Sequence, residues 1–185
     1  MHCETGGNGK KHMNPLRKCR QARYRKYLRC PVDIDVGAGW FPIDRRAVTV
    51  DIRPETRPDF VASILSLPFA DETSECTTAF EILEHIDQKN QAYACRELAR
   101  VTKRGGIVAI SVPYSVSIWG PLQRVMWAIR ERSTQREYHG DPRTHAHVAM
   151  ITPFQLRTHL RDAGLVITES RRIMGYTYFV TGMKE

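Results

Sequence analysis

At 185 residues the chain is long enough for one hydrophobic core and too short for two ordinary domains, and its 42% hydrophobic and 26% charged residues are globular proportions. No apolar run approaches the roughly 18 residues that a membrane span requires, so no transmembrane helix is expected. The net charge of +8 is concentrated at the start, where Lys10, Lys11, Arg17, Lys18, Arg20, Arg23, Arg25, Lys26 and Arg29 face only Glu4, which leaves the rest of the chain balanced.

The polar opening "MHCETGGNGKKHMNPL" lacks the apolar core of a signal peptide, which points to a cytoplasmic protein. Residues 1 to about 13 read as disordered. Asn14 then caps, and Pro15 opens, a helix to about Leu28, with Leu16, Cys19, Arg23 and Tyr27 along one stripe. Residues 1–30 are thus expected to form a basic arm and helix, and residues 31–185 the main domain. The arm suits phosphate on nucleic acid, anionic lipid or an acidic partner, or is simply a solvated face; only Tyr24 and Tyr27 add rings suited to base stacking. Cys3, Cys19, Cys30, Cys76 and Cys95 form an odd set without C-x-x-C spacing, which favours free thiols in a reducing compartment over a zinc site on Cys3 and Cys19.

From Pro31 onward, strands alternate with helices. Val32–Val36, Ala47–Val50, Asp59–Ala62 and Glu75–Phe80 read as strands, and "GIVAISVPY" as a buried fifth. Between the last two, Gln88–Thr102 has Ala92, Cys95, Leu98, Ala99 and Val101 near helical spacing, with Gly105 and Gly106 as its stop. Such alternation implies a mostly parallel sheet. A helical face of Leu122, Val125, Met126 and Ile129 and a polar loop make an insertion at about 115–150. Thr152 and Pro153 start another helix ending at Gly164, and "LVITESRRIMGYTYFVTGMK" finishes as an antiparallel hairpin around Gly175. The fold expected is a three-layer α/β domain on a seven-stranded sheet.

Gly37 and Gly39 stand where the first strand ends, in a turn that needs glycine backbone angles and admits a ligand closely. The seven residues Trp40–Arg46 must then return along a strand of about 17 Å, which at about 3.4 Å per residue requires a nearly extended path. The first crossover helix is therefore expected to be shortened or absent. Pyrophosphate is normally held at that helix's N-terminus, so NAD, FAD and nucleoside triphosphates lose their anchor, and no G-x-x-x-x-G-K-S/T sequence replaces it. S-adenosylmethionine carries no phosphate. Its amino-acid end suits backbone groups of the turn, and its ribose hydroxyls suit Asp51 at the end of the second strand.

The segments "DVGAG", "VDIRP", "LSLPFADETSECTTAFEILEHI" and "ELARVTKRGGIVAISVPY" resemble, in order, the signature of class I, Rossmann-like, S-adenosylmethionine-dependent methyltransferases, and "THAHVAMITPFQLRTHLRDAGL" resembles a later helix of one branch. The resemblance implies cofactor contacts from Asp35, Gly37, Ala38 and Gly39 in the loop, from Asp51 and Ile52 at the ribose, from Ser63, Ile64 and Leu65 at the adenine, and from Phe80 and Glu81 at the methyl end. Leu67, Pro68 and Phe69 match the segment that follows the adenine side. Phe41 departs from the pattern in place of a third glycine, Ser63 in place of a common Asp, and Arg104 in place of a Pro. The resemblance implies methyl transfer to an acceptor, with a non-catalytic cofactor-binding protein or a nucleic-acid-binding protein on the same fold as the alternatives.

A sulfonium already activates its methyl group, so only positioning and removal of one acceptor proton are needed. His139, His145 and Tyr114 are the candidates for that proton. His139, Asp141, His145 and His147 are also metal-like in type, but their irregular spacing favours substrate-facing or surface roles, and no metal is expected. Arg124, Arg130, Arg132, Arg136 and Arg143 in the same insertion suggest an acidic acceptor. Glu84 and His85 are adjacent and so do not face each other on a helix; structural roles are expected for both.

Overall fold

A computed structural model describes residues 24–114, 149–173 and 177–185. The expected helix from Asn14, the helix over Pro121–Arg132, the histidine-rich loop and the turn at Gly175 lie wholly or mainly outside these residues. Among them, no helix is long and apolar enough to cross a membrane.

Seven strands form one sheet: β1 (Ile34–Val36), β2 (Val48–Asp51), β3 (Phe60–Val61), β4 (Ser74–Phe80), β5 (Thr102–Pro113), β6 (Leu165–Ile173) and β7 (Thr177–Lys184), in the order β3-β2-β1-β4-β5-β7-β6. The first five are parallel, and β7 runs antiparallel between β5 and β6. The order in which successive strands are laid across the sheet reverses between β1 and β4. The carboxyl ends of β1, β2, β4 and β5 open on one edge at this switch, where ligands of open α/β sheets bind.

Two helices, α1 (Gln88–Val101) and α2 (Pro153–Asp162), pack on one face of the sheet. Leu98, Leu156 and Leu160 are fully buried there with Ile34, Val36, Val108, Ile110 and Val112. Each such side chain stabilises the fold by about 1.5–3 kcal/mol relative to its exposed state. The buried face of α1 includes Gln91 and Ala94, while Ala92 is only partly covered, so the stripe is rotated from the sequence expectation. Gln91 is buried because its amide donates to the Leu83, Ile86 and Ala149 carbonyls, tying the turn after β4 to the chain entering α2. Thr152 caps α2 and pairs with Gln155 in a reciprocal capping box.

Of helices, the described residues on the opposite face include only the end of one, Tyr24 and Arg25. The β1–β2 connection covers it through Ile43 and Ala47, and Tyr24 inserts from the N-terminal segment against Phe80 and Phe179, with ring centroids 4.7 and 6.1 Å away. Tyr24 is 1% exposed. Tyr27 of the expected stripe also packs on this cluster, half-buried against Phe179, while Tyr24, outside that stripe, is buried more deeply.

Gly105 and Gly106 do not stop a helix. α1 ends at Val101 and the chain enters β5 directly at Thr102, whose hydroxyl donates to the Leu98 carbonyl. The glycines lie where the β4–β5 register shifts, between the pairs Ser74–Thr102 and Cys76–Ile107. A Cβ on Gly106 would stand 2.8 Å from the Lys103 carbonyl oxygen and 2.9 Å from that of Glu75, so the bulge admits only glycine.

Candidate functional site

No helix intervenes between β1 and β2, as the short span from Trp40 to Arg46 requires. The turn instead folds onto β2. The Gly37 and Ala38 amides both donate to the Val50 carbonyl, at 2.7 and 3.2 Å, and the Gly39 amide donates to Asp51 Oδ2 at 2.8 Å. Gly37 and Gly39 have φ of 70° and 56°, and a Cβ on Gly37 would lie 2.6 Å from Ile82 Cδ1. The first glycine is thus fixed both by its backbone angle and by the side chain above it. The amides of Gly37, Ala38 and Gly39 are consumed inside the protein, and among the described residues the Gly37 and Gly39 carbonyls accept no turn or loop backbone hydrogen bond.

Asp35 anchors the return. Its neighbours Ile34 and Val36 point into the helix-covered core, so the alternation of β1 sends its carboxylate to the other face. There Oδ2 accepts from the Ile43 amide and Oδ1 from the Thr78 hydroxyl, both at 2.8 Å. Burial pushes its pKa up to about 6; the two hydrogen bonds oppose this, and the nearby negative charge of Asp51 adds to it. Asp35 therefore meets the connection rather than open cleft.

Asp51 ends β2 and is 4% exposed. Besides the Gly39 amide, its carboxylate accepts from Arg53 through the backbone amide and Nε, both at 3.0 Å to Oδ1, and through Nη2 at 3.2 Å to Oδ2. Ile52 between them is 45% exposed. Across the edge, the Ala62 amide donates to the Asp51 carbonyl, and Ser63 turns the chain by accepting the Leu65 amide on its hydroxyl and the Ser66 amide on its carbonyl. Ile64 is buried and Leu65 half-buried beside it.

The Leu67–Phe69 segment is held by a clamp that sequence reasoning missed. Arg100 of α1 donates to the Leu67 and Phe69 carbonyls, to both oxygens of Glu97 and to Asp71, while Glu97 Oε1 accepts the Leu67 amide. The Arg100 hydrogen bonds hold the Glu97 carboxyl below the usual carboxylate range. The signal was present: Glu97 and Arg100 are three apart on one helix, next to a segment already singled out.

At the β4 exit, Phe80 turns its ring into the Tyr24–Phe179 cluster, away from the helices. Glu81 follows with φ of 56°, a left-handed conformation uncommon outside glycine. Its amide donates to the Ser111 carbonyl, and Oε1 accepts from the Tyr24 hydroxyl at 3.1 Å and the Ser111 hydroxyl at 3.2 Å. Tyr114, just past β5, packs near Tyr178, and the Arg172 guanidinium lies 4.5 Å from its ring centroid. Glu84 is buried and its carbonyl receives the Ala149 amide, in keeping with a structural role. His139 and His145 lie outside the described residues, as do Asp141, His147 and the arginines of the insertion. Among the described residues, no group of three or more His, Cys, Asp or Glu side chains is placed to hold a metal ion.

The sequence of residues 35–110 matches the model of a family described as a methyltransferase domain. No curated protein matches the chain's sequence. Solved structures similar in fold include an S-adenosylmethionine-dependent methyltransferase from Methanosarcina mazei (19% identity, 88% of this chain and 96% of that one, TM-score 0.66) and another from Thermotoga maritima (15%, 92% and 96%, 0.60). A chain of the Haloferax volcanii complex between the Trm112 methyltransferase activator and a methyltransferase is also similar (16%, 91% and 90%, 0.65). At these identities the structural likeness establishes the fold.

Proposed function

We propose that this chain, whose residues 35–110 belong to the methyltransferase-domain family and whose fold is that of the class I, Rossmann-like S-adenosylmethionine-dependent methyltransferases, binds S-adenosylmethionine at the β1–β4 switch and transfers its methyl group to an acceptor. One observation carries the reading: the glycine turn returns to β2 without a helix, so the site has no helix N-terminus for pyrophosphate, yet it ends in a carboxylate suited to a diol. The donor and acceptor types fit. The Gly37 and Gly39 carbonyls would receive an ammonium, Asp51 the ribose hydroxyls, and Ile52, Ile64 and Leu65 would flank the adenine.

Held there by the Gly37–Gly39 turn, Asp51 and the Ile52, Ile64 and Leu65 side chains, S-adenosylmethionine would supply a methyl carbon activated by its sulfonium. The protein's own work is orientation. Asp35 fixes the connection, Ile82 roofs Gly37, and the Arg100 clamp sets the adenine-side segment. Glu81, at the methyl end of the edge, is held in one conformation by Tyr24 and Ser111. His139, His145 and Tyr114 remain the candidates for the acceptor proton.

A non-catalytic protein on this fold is the alternative, and the engagement of Asp51 by Arg53 favours it. A thermal-shift panel decides: S-adenosylmethionine and S-adenosylhomocysteine are expected to raise the melting temperature, and NAD, NADP and ATP are not. A dinucleotide that stabilises more than either adenosyl ligand overturns the reading, as does no response to either adenosyl ligand, whereas binding without methyl transfer to any acceptor supports the non-catalytic cofactor-binding alternative. Nucleic-acid binding by the basic arm is tested by salt-dependent retention on RNA or DNA. Tyr24 and Tyr27 do not support base stacking, because Tyr24 is buried and Tyr27 packs on Phe179 and beneath Arg171.

A further inference from the structure

The hydrogen-bonding capacity of Asp51 is full. A carboxylate offers about four lone-pair positions on its two oxygens. Here Oδ1 takes the Arg53 amide and Nε, and Oδ2 takes the Gly39 amide and Arg53 Nη2. Two of these four partners are backbone groups that shape the turn. The other two belong to the fork of one guanidinium, whose side chain is 15% exposed. That fork lies against the glycine turn: a Cβ on Gly39 would stand 3.3 Å from Arg53 Nη2. A planar pair of N–H donors on a carboxylate presents the same pattern as the two hydroxyls of a ribose.

We propose that Arg53 is an internal occupant of the ribose position, so that an adenosyl ligand engages Asp51 only by displacing the guanidinium, and Arg53 thereby sets the affinity of the site. The inference rests on the adenosyl-cofactor reading above. Its geometry follows from spacing, since Asp51 and Arg53 are two apart in an extended segment and so share a side. Exposed Glu55 gives the displaced cation a second carboxylate nearby, and already acts on it electrostatically. The closed arrangement also keeps a buried carboxylate satisfied when no ligand is present.

The test is calorimetric titration of S-adenosylhomocysteine into the wild-type protein and into Arg53→Ser, which keeps the backbone amide on Oδ1 and removes the fork. Arg53→Lys, which keeps the charge without the paired donors, serves as a second variant if the serine variant does not fold. At least tenfold tighter binding by Arg53→Ser, with Arg53→Lys between it and the wild type, is the expected result. Binding by the variants alone also supports the proposal. A merely structural role does not produce a gain, because damage to the fold lowers affinity. Equal or weaker binding by folded variants, with the wild type binding, overturns the proposal and leaves the cofactor reading standing. Absence of binding by every protein overturns both.

Discussion

The carboxylate of Asp35 accepts the amide of Ile43, eight residues further along the chain, at 2.8 Å, and this bond pins a β1–β2 connection that holds no helix. It fixes the height at which the connection crosses β1, and with it the position of the glycine turn. The bond is made by a group that burial penalises when charged, since its pKa rises from 3.8 to about 6.

A pH dependence follows. Below about pH 4, Asp35 is protonated in both folded and unfolded chains. Between there and about pH 6 the folded chain keeps a proton that the unfolded chain releases, so this group's contribution to stability falls as pH rises, by roughly 3 kcal/mol in all, and then levels off. In Asp35→Asn the carboxamide oxygen still accepts from Ile43, while its NH2 donates to Thr78, whose hydroxyl turns to the Ile34 carbonyl 3.4 Å away. Urea denaturation is expected to show the variant gaining on the wild type between pH 4.5 and 7. A constant difference across that range contradicts the account.

Gly37→Ala is expected to destabilise by about 2–4 kcal/mol, of which about 1–2 come from the left-handed backbone and the rest from contact with Ile82 Cδ1. Introducing it into an Ile82→Ala background should leave only the backbone cost. A double-mutant cycle reads the difference as a coupling energy, and additivity would show that Ile82 does not close over the turn.

Arg100→Met removes the cation that neutralises buried Glu97 and leaves the Leu67 and Phe69 carbonyls without their donor. The expected loss is about 2–3 kcal/mol. Adding Glu97→Gln to this variant should recover part of it, because a neutral amide accepts the Leu67 amide without a buried charge. If the double variant is less stable than Arg100→Met, the charge is not the cause.

Tyr24→Ala is expected to cost about 3–5 kcal/mol through the cavity between Phe80 and Phe179. Tyr24→Phe keeps the ring and loses only the hydroxyl shared with Glu81 and Thr177, for about 1–2 kcal/mol. Chemical denaturation of the two variants separates packing from hydrogen bonding; equal losses would mean that the ring is not held in the core.

Much of this protein was written along the chain. The alternation of Val32–Val36 and of "GIVAISVPY", the helical spacing through Leu98, the cap at Thr152 and above all the short span from Trp40 to Arg46 are local features, and local backbone geometry translates them directly into strands, helices and a missing crossover helix. Boundaries were less sharp: β1 begins at Ile34 rather than Val32, and β3 holds only Phe60 and Val61. Strand limits depend on which neighbours pair, and that is not a property of the strand alone.

What the tertiary structure decided is which of several local meanings each residue takes. Gly105 and Gly106 read equally well as a helix stop or a bulge, and the close carbonyl of Glu75 on the adjacent strand selects the bulge. Tyr24 and Tyr27 are neighbours on the same short segment, and only the arrival of Phe80 and Phe179 from β4 and β7 buries the first more deeply. The place of Asp51 at the end of a strand was legible in the sequence. Its engagement by Arg53 was not, because a carboxylate's partners are set by every donor within about 3 Å once the turn, the strand and the side-chain rotamers are in place together.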